Sequence, residues 1–356
     1  MQDTHVQLAA GAAFAVTMKH CRIMESISMN TKTLGNSDLQ ITPIGFGAWA
    51  IGGAKWKFGW GHQDDDHSRQ VIHEAVAHGV NWIDTAPVYG HGHSEEIIGK
   101  ALAEMPAESR PMVFTKCGHP WDDKGELSYS LKAADLRKEC EDSLRRLQVD
   151  VIDLYQFHWP QPEEQLEEGW HTMQELKADG KVRWVGVCNA SVEQMKKLMR
   201  IGPITSHQLH YSLLRPNVER EELPFCVENG VGVLAYSPMG SGLLTGTVTR
   251  DYITNMPEND WRKQGHPHYQ EPLLTRNLNL VELLRCIGDR HGKIPGAVAV
   301  AWVLHNPGVT GAIIGAREPK QFHEPAEAAD WQLSDSEFDE ITAFIHANPA
   351  KAWGDV

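Results

Sequence analysis

From residue 41 onward the chain alternates short apolar, β-rich runs with amphipathic helical stretches, and it does so eight times. The runs fall at 43–49, 81–84, 112–116, 151–157, 182–187, 206–210, 232–235 and 311–314. A strand followed by a helix long enough to carry the chain back sets the next strand parallel, so the repeat predicts a parallel sheet covered by helices. Eight such units close the sheet on itself, and the expected fold is α/β, a (β/α)8 TIM barrel. A length of 356 residues suits it, because barrels of this size bury one large core instead of dividing into domains.

The flanks of the repeat carry their own signals. Asp64-Asp65-Asp66 precedes the helical stretch 71–77, Ser94-Glu95-Glu96 precedes 97–102, and Ser191 with Glu193 precedes 195–199. Acidic and hydroxyl side chains at these places satisfy free N–H groups and the helix dipole. Ahead of the barrel, Leu34-Gly35-Asn36-Ser37-Asp38-Leu39 reads as a tight hairpin that would plug the barrel floor. After the seventh strand comes a long irregular segment, 245–275, and loops of that size usually serve as lids or binding loops. Residues 1–28 fit none of this pattern. They read as an N-terminal extension, either disordered or a product of start-site choice with Met29 as the alternative start, leaving 29–356 as the barrel domain.

A formal net charge of −14 excludes nucleic acid as a partner, since a phosphate-binding stripe must be basic. The six cysteines, Cys21, Cys117, Cys140, Cys188, Cys226 and Cys286, form no CxxC pair, which argues against a zinc ribbon or disulfide framework and for a reducing, cytoplasmic setting. The apolar stretch 8–18 is far short of a membrane span, and Asp3 stands where a secretory signal would carry positive charge. No membrane partner is expected. His91-Gly92-His93 and His266-Pro267-His268 have no carboxylate or cysteine at ligand spacing, so no metal is expected either.

Barrel enzymes place their chemistry where strands end and the following loops begin. Asp84 ends the second strand, Tyr89 lies in its loop, Lys116 ends the third strand and His158 the fourth. Any one of these alone is an ordinary core or surface residue; four at consecutive strand ends are not. At these positions the chain resembles the aldo-keto reductase superfamily, whose Asp, Tyr, Lys and His follow in this order on these strands, and the resemblance runs over about 31–347. It implies an NADP(H)-dependent oxidoreductase that reduces an aldehyde or ketone to an alcohol by hydride transfer, with Tyr89 as general acid. A phenol at its usual pKa near ~10 is a poor acid at neutral pH. A Lys116 ammonium about 4 Å away would contribute about 4 kcal/mol at an effective dielectric of about 20, about three pK units before desolvation subtracts from it. Asp84 would keep Lys116 charged, and His158 would polarise the substrate carbonyl, as its counterparts do in the family.

No GxGxxG follows a strand, so a Rossmann site is not supported. Instead Leu234-Ala235-Tyr236-Ser237-Pro238-Met239-Gly240-Ser241-Gly242-Leu243-Leu244 resembles the family's seventh-strand segment. There Tyr236 would stack on the nicotinamide, while Ser237, Pro238, Gly240, Gly242 and Leu243 would lie along the pyrophosphate, glycines allowing phosphate oxygens to approach backbone N–H groups. Asn189 and Gln208 match the positions that hold the carboxamide; Cys188 stands where the family has Ser or Thr, and a thiol donates weakly. Beyond the eighth strand, Gly315, Ala316, Arg317, Gln321 and Glu324 match the segment that grips the adenosine end, with Pro325 where the family usually has Asn. Arg317 and Lys320 imply a preference for NADP(H) over NAD(H).

Of twelve tryptophans, Trp49, Trp56, Trp60, Trp121 and Trp159 fall in or beside strand-to-helix loops. Trp49 and Trp159 adjoin strand ends and are the expected substrate contacts, the others serving equally well as packing. Trp49-Ala50-Ile51-Gly52-Gly53 and His158-Trp159-Pro160 resemble bacterial members acting on small aldehydes, sugars and polyols, so the expected partner is a small carbonyl or polyol and the expected assembly a monomer or small homo-oligomer. Two other readings compete. One is a nucleotide-binding, redox-sensing regulatory subunit like the potassium-channel β subunits; the other is a metal-dependent barrel hydrolase, which the missing ligands oppose.

Overall fold

The computed structural model describes residues 29–349 except 55, 57 and 259; the extension at 1–28 lies outside the described residues. The strands are β1 (Lys32–Thr33), β2 (Gln40–Ile41), β3 (Ile44–Gly47), β4 (Trp82–Asp84), β5 (Met112–Cys117), β6 (Ile152–Phe157), β7 (Val182–Cys188), β8 (Ser206–His210), β9 (Gly232–Tyr236) and β10 (Gly311–Gly315). The helices are α1 (Asp65–Ala77), α2 (His93–Ala103), α3 (Ala133–Leu147), α4 (Leu166–Ala178), α5 (Val192–Met199), α6 (Glu222–Glu228), α7 (Arg250–Thr254), α8 (Trp261–Gly265), α9 (Leu273–Asp289), α10 (Pro295–His305), α11 (Pro319–Ala326) and α12 (Asp335–Ala347). β3 to β10 form a closed parallel barrel in sequence order, β10 pairing back on β3. The expected (β/α)8 barrel is therefore what the chain forms. No helix among the described residues is long and apolar enough to cross a membrane.

β1 and β2 pair as an antiparallel hairpin, and its turn presses into the barrel floor. Leu34, Leu39 and Ile41 are buried against Trp82, Phe114, Leu154 and Leu234 from inside the barrel. Complete burial of a leucine contributes about 1.5–3 kcal/mol, so the hairpin is a plug with its own stake in the core. Gly35 has φ +53°, and a Cβ there would collide with the carbonyl oxygen of Thr205, so only glycine allows the turn to approach the barrel this closely.

The helix starts were legible to different degrees. Asp64 caps α1, accepting from the His67 N–H. Ser191 caps α5 in a capping box completed by Gln194, not by Glu193. At α2 the cap is Gly92 in the left-handed region, and the Ser94-Glu95-Glu96 signal has another cause. The Ser94 hydroxyl donates to the Ala48 carbonyl at 3.0 Å and meets Thr85 Oγ1 at 2.9 Å. Glu95 is fully buried, accepting from Thr115 at 2.6 Å and Arg146 at 2.7 Å. These contacts lock α2 and α3 against β5, just behind the candidate catalytic residues.

Two further expectations change. The first strand is shorter than 43–49, because Trp49–Gly52 is a 3-10 turn that carries Trp49 off the sheet and across the barrel mouth. The segment 245–275 is also not irregular: α7 is capped by Thr249, α8 by Asp260, and a 3-10 turn at Pro267–Tyr269 follows.

Candidate active site

Parallel register brings the expected catalytic residues to one end of the barrel. Asp84 of β4 sits across from Phe114 of β5, and Lys116 from Gln156 of β6, while His158 immediately follows β6. The Lys116 Nζ donates to Asp84 Oδ1 at 2.6 Å, to the Thr85 carbonyl at 2.9 Å and to Tyr89 Oη at 3.4 Å. Three acceptors use the three ammonium hydrogens. Lys116 is 1% exposed and Asp84 3%, so the pair is removed from water and its attraction is not screened. Burial works against the charge on Lys116, but Asp84 more than restores it, and the ammonium is held above its ordinary pKa.

The expected acidification of Tyr89 does not appear. Burial pushes the phenol up to about 12, and the Lys116 charge only partly opposes that shift. Burial is the largest cause, and the Asp84 carboxylate beside Lys116 adds to it by opposing a second negative charge on Tyr89. Tyr89 is thus firmly protonated, a proton store instead of an activated acid. His158 packs edge-on to Tyr89 with ring centroids 5.8 Å apart. Burial, with Lys116 beside it, holds its imidazole well below the usual histidine range, so it is neutral.

The residues expected to hold a nicotinamide are wired to this group. Gln208 Nε2 donates to Asp84 Oδ2 at 2.6 Å. Asn189, at φ +55°, donates through Nδ2 to the His158 carbonyl at 3.1 Å and accepts the Tyr236 hydroxyl at 2.9 Å. Tyr236 stacks on His210 with centroids 4.9 Å apart and is only partly buried, leaving ring surface at the mouth. Cys188 is buried, burial pushes its thiol up, and it faces Gln156 Oε1 at 3.8 Å.

Past β9, Ser237 (φ +54°), Gly240 (φ +57°), Ser241 (φ +56°) and Gly242 (φ +94°) turn the backbone through the left-handed region repeatedly. Such turns form concavities of N–H groups that suit an anion. A Cβ at Gly242 would meet nothing closer than 3.6 Å, so this stretch is an open cradle and fits a pyrophosphate. Gly240 has a different reason, since a Cβ there would lie 2.5 Å from Leu214 Cδ1. Pro238 and Leu243 are buried, so they shape the cradle from beneath.

α8 and the turn after it fasten onto the cradle from above. Arg262 ion-pairs with Asp260 at 2.7 Å, lies over the Trp60 ring at 4.7 Å and donates to the Ser241 carbonyl at 3.4 Å; the Tyr269 hydroxyl reaches the same carbonyl at 2.9 Å. Gly315 is exposed and Ala316 buried at the eighth strand end. Arg317 is committed elsewhere than expected: its guanidinium donates to Gln63 Oε1 at 2.9 Å, to the Trp60 carbonyl at 3.1 Å and to the His62 carbonyl at 2.5 Å. Gln321 Oε1 accepts from the Arg317 N–H at 3.0 Å, and exposed Lys320 pairs with Glu324 at 3.4 Å. Were the strip to hold an extended dinucleotide, Tyr236 would take its nicotinamide end and Arg317 its adenosine end.

Trp49 comes to 5.1 Å from Tyr89 between ring centroids, and Trp56, buried, to 5.8 Å. Trp159 is partly buried after His158, but its ring is not among those around Tyr89. No group of His, Cys, Asp or Glu able to hold a metal occurs among the described residues; His266 and His268 are packed with Trp261 and Tyr269.

Sequence reading missed Glu139 of α3. Its Oε2 accepts from the Gly118 N–H at 3.1 Å, the His119 N–H also faces the carboxyl, and Oε1 has no partner. Burial pushes the carboxyl up to about 8, whereas an unfolded glutamate ionises near about 4.3. Between those values the folded chain holds a proton that the unfolded chain has released, so stability falls as pH rises, by up to about 1.4 kcal/mol per unit. Glu139→Gln keeps the accepting oxygen and stays neutral, so it should flatten the decline. Denaturant melts at pH 5 and pH 8 check this: wild type should lose more stability than the variant, and equal losses would clear Glu139 as the cause.

A closed parallel barrel with a buried Asp84–Lys116–Tyr89 group at its strand ends has the layout of a class, the barrel enzymes that work at that end. The sequence model of the aldo/keto reductase family matches residues 43–346, and the chain belongs to that family. It is 36% identical over 318 residues to the aldo-keto reductase YhdN of Bacillus subtilis, covering 89% of this chain and 94% of that one. It is 34% identical over 317 residues to the NADH-specific methylglyoxal reductase of Escherichia coli, covering 85% and 94%. Among solved structures, a glycerol dehydrogenase from Gluconobacter oxydans superposes with a TM-score of 0.81 at 36% identity, over 94% of this chain and 99% of that one.

Proposed function

We propose that the chain reduces small aldehyde or ketone carbonyls to alcohols, with NADPH as the preferred hydride donor and Tyr89 as the proton donor. The observation that carries the reading is the buried Asp84–Lys116–Tyr89 group with neutral His158 beside it. Tyr236, Asn189 and Gln208 would hold a reduced nicotinamide, which when bound would supply the hydride. The chain's own residues do the rest. His158 donates to the carbonyl oxygen, raising the positive character of its carbon, and Tyr89 Oη passes its proton to the same oxygen as negative charge develops there. A phenol at about 12 is a sufficient acid for that step, because an alkoxide is a stronger base than a phenolate. Lys116 then stabilises the phenolate, and Asp84 keeps Lys116 charged and aimed.

Trp49, with Trp56, gives the substrate an apolar wall beside Tyr89, and Trp159 follows His158 in the same loop. Two relatives carry methylglyoxal and glycerol in their names, both small and polar, which supports a substrate of that size. Arg317 and Lys320 support NADPH as the partner of the adenosine end, against the NADH named for the Escherichia coli relative.

The deciding assay is a panel of aldehydes, ketoses and polyols run with NADPH, NADH and their oxidised forms. We expect reduction of small aldehydes, with kcat/KM for NADPH at least about tenfold above NADH, a difference of about 1.4 kcal/mol. Equal efficiencies would overturn the cofactor preference, and no turnover of any compound would overturn the reductase reading.

A further inference from the structure

A second ring packs against His158 besides that of Tyr89, and it belongs to His119, in the loop between β5 and α3. Its centroid lies 5.8 Å from that of His158 and 4.7 Å from that of Tyr129, which it meets edge-on. Among the described residues neither of its ring nitrogens has a hydrogen-bond partner, and Nδ1 is buried. The residue as a whole is only partly buried, beside the ring of His158. Its backbone is held from below, where the Glu139 carboxyl takes the N–H groups of Gly118 and His119. A polar ring anchored beside the reacting centre, with its hydrogen-bonding capacity unspent, is built for a ligand group.

We propose that His119 is a specificity-determining residue that hydrogen-bonds an oxygen on the carbon next to the reacting carbonyl, so that the favoured substrates are small compounds with oxygens on adjacent carbons. This rests on the reductase reading, in which His158 takes the carbonyl oxygen. Two imidazoles side by side then meet two neighbouring oxygens, one each. Burial holds His119 down to about 4, so at neutral pH it presents one donor and one acceptor and can serve either a hydroxyl or a second carbonyl. A substrate lacking that oxygen leaves the imidazole unpaired in a partly dry pocket, and this is the situation in which polar sites discriminate strongly.

The test compares lactaldehyde with propanal as substrates, and propane-1,2-diol with propan-1-ol as ligands of the enzyme with NADP+, read by tryptophan fluorescence. Wild type should favour the vicinally oxygenated member of each pair by about tenfold, the worth of one hydrogen bond. His119→Phe keeps a ring against Tyr129 and should bring both ratios close to one, while His119→Gln should recover part of them. The ratio is the readout because damage to the loop slows both substrates alike. Ratios unchanged in His119→Phe overturn the proposal. If wild type reduces neither aldehyde the reductase reading falls, and the binding ratio still decides His119 by the same criterion.

Discussion

Tyr89→Phe should lower kcat for carbonyl reduction by about a thousandfold, within the usual range for loss of a general acid, and change cofactor affinity by less than about twofold. The substitution removes one oxygen and leaves the ring against Trp49, Trp56 and His158. Lys116 keeps its bonds to Asp84 and Thr85, so no buried charge is stranded. Cofactor binding by fluorescence titration and single-turnover rates separate the two quantities. A variant that still turned over at the parent rate would remove Tyr89 from the chemistry. Because the phenol titrates near 12, the parent enzyme should also show no loss of reduction rate from Tyr89 ionisation below about pH 11.

Asp84→Ala should be the most destabilising change at the site. It leaves the Lys116 ammonium 1% exposed with no counter-ion, and breaking a buried pair from one side costs about 3–5 kcal/mol. Asp84→Ala/Lys116→Met removes both charges and should recover much of that loss while remaining inactive. Denaturant melts of the two single variants and the double variant give the coupling between the residues. A loss below about 1 kcal/mol for Asp84→Ala, with nothing regained in the double variant, would show that the pair contributes to activity alone.

The barrel was legible because its signal is periodic and local, and the plug because Gly35 and its neighbours announce a turn. The tetrad positions followed from strand ends. What stayed hidden depended on partners distant in sequence. Glu95 looks like a helix start until Arg146, 51 residues later, is placed beside it. Gln208 meets Asp84 across 124 residues. The raised pKa of Tyr89 was not legible because a motif shows which charges are near, whereas burial is a property of the assembled core. His119, three positions after Lys116 and just past β5, is an ordinary loop histidine in the sequence, and only the fold sets it beside His158 from the following strand.

The fastening of Arg317 to residues 60–63 has a consequence for cofactor choice. A guanidinium already satisfied by two carbonyls and an amide oxygen can answer a 2′-phosphate only by exchange, so under the proposed preference what would favour NADPH is the margin of charge-assisted over neutral hydrogen bonds. That exchange would untie the segment bearing Trp60, which Arg262 holds from the opposite side. By reciprocity the grip on the phosphate and the order of that segment are two faces of one free energy. Under that proposal, discrimination between the two nucleotides would depend on the acceptors of residues 60–63 as well as on the arginine that would touch the phosphate.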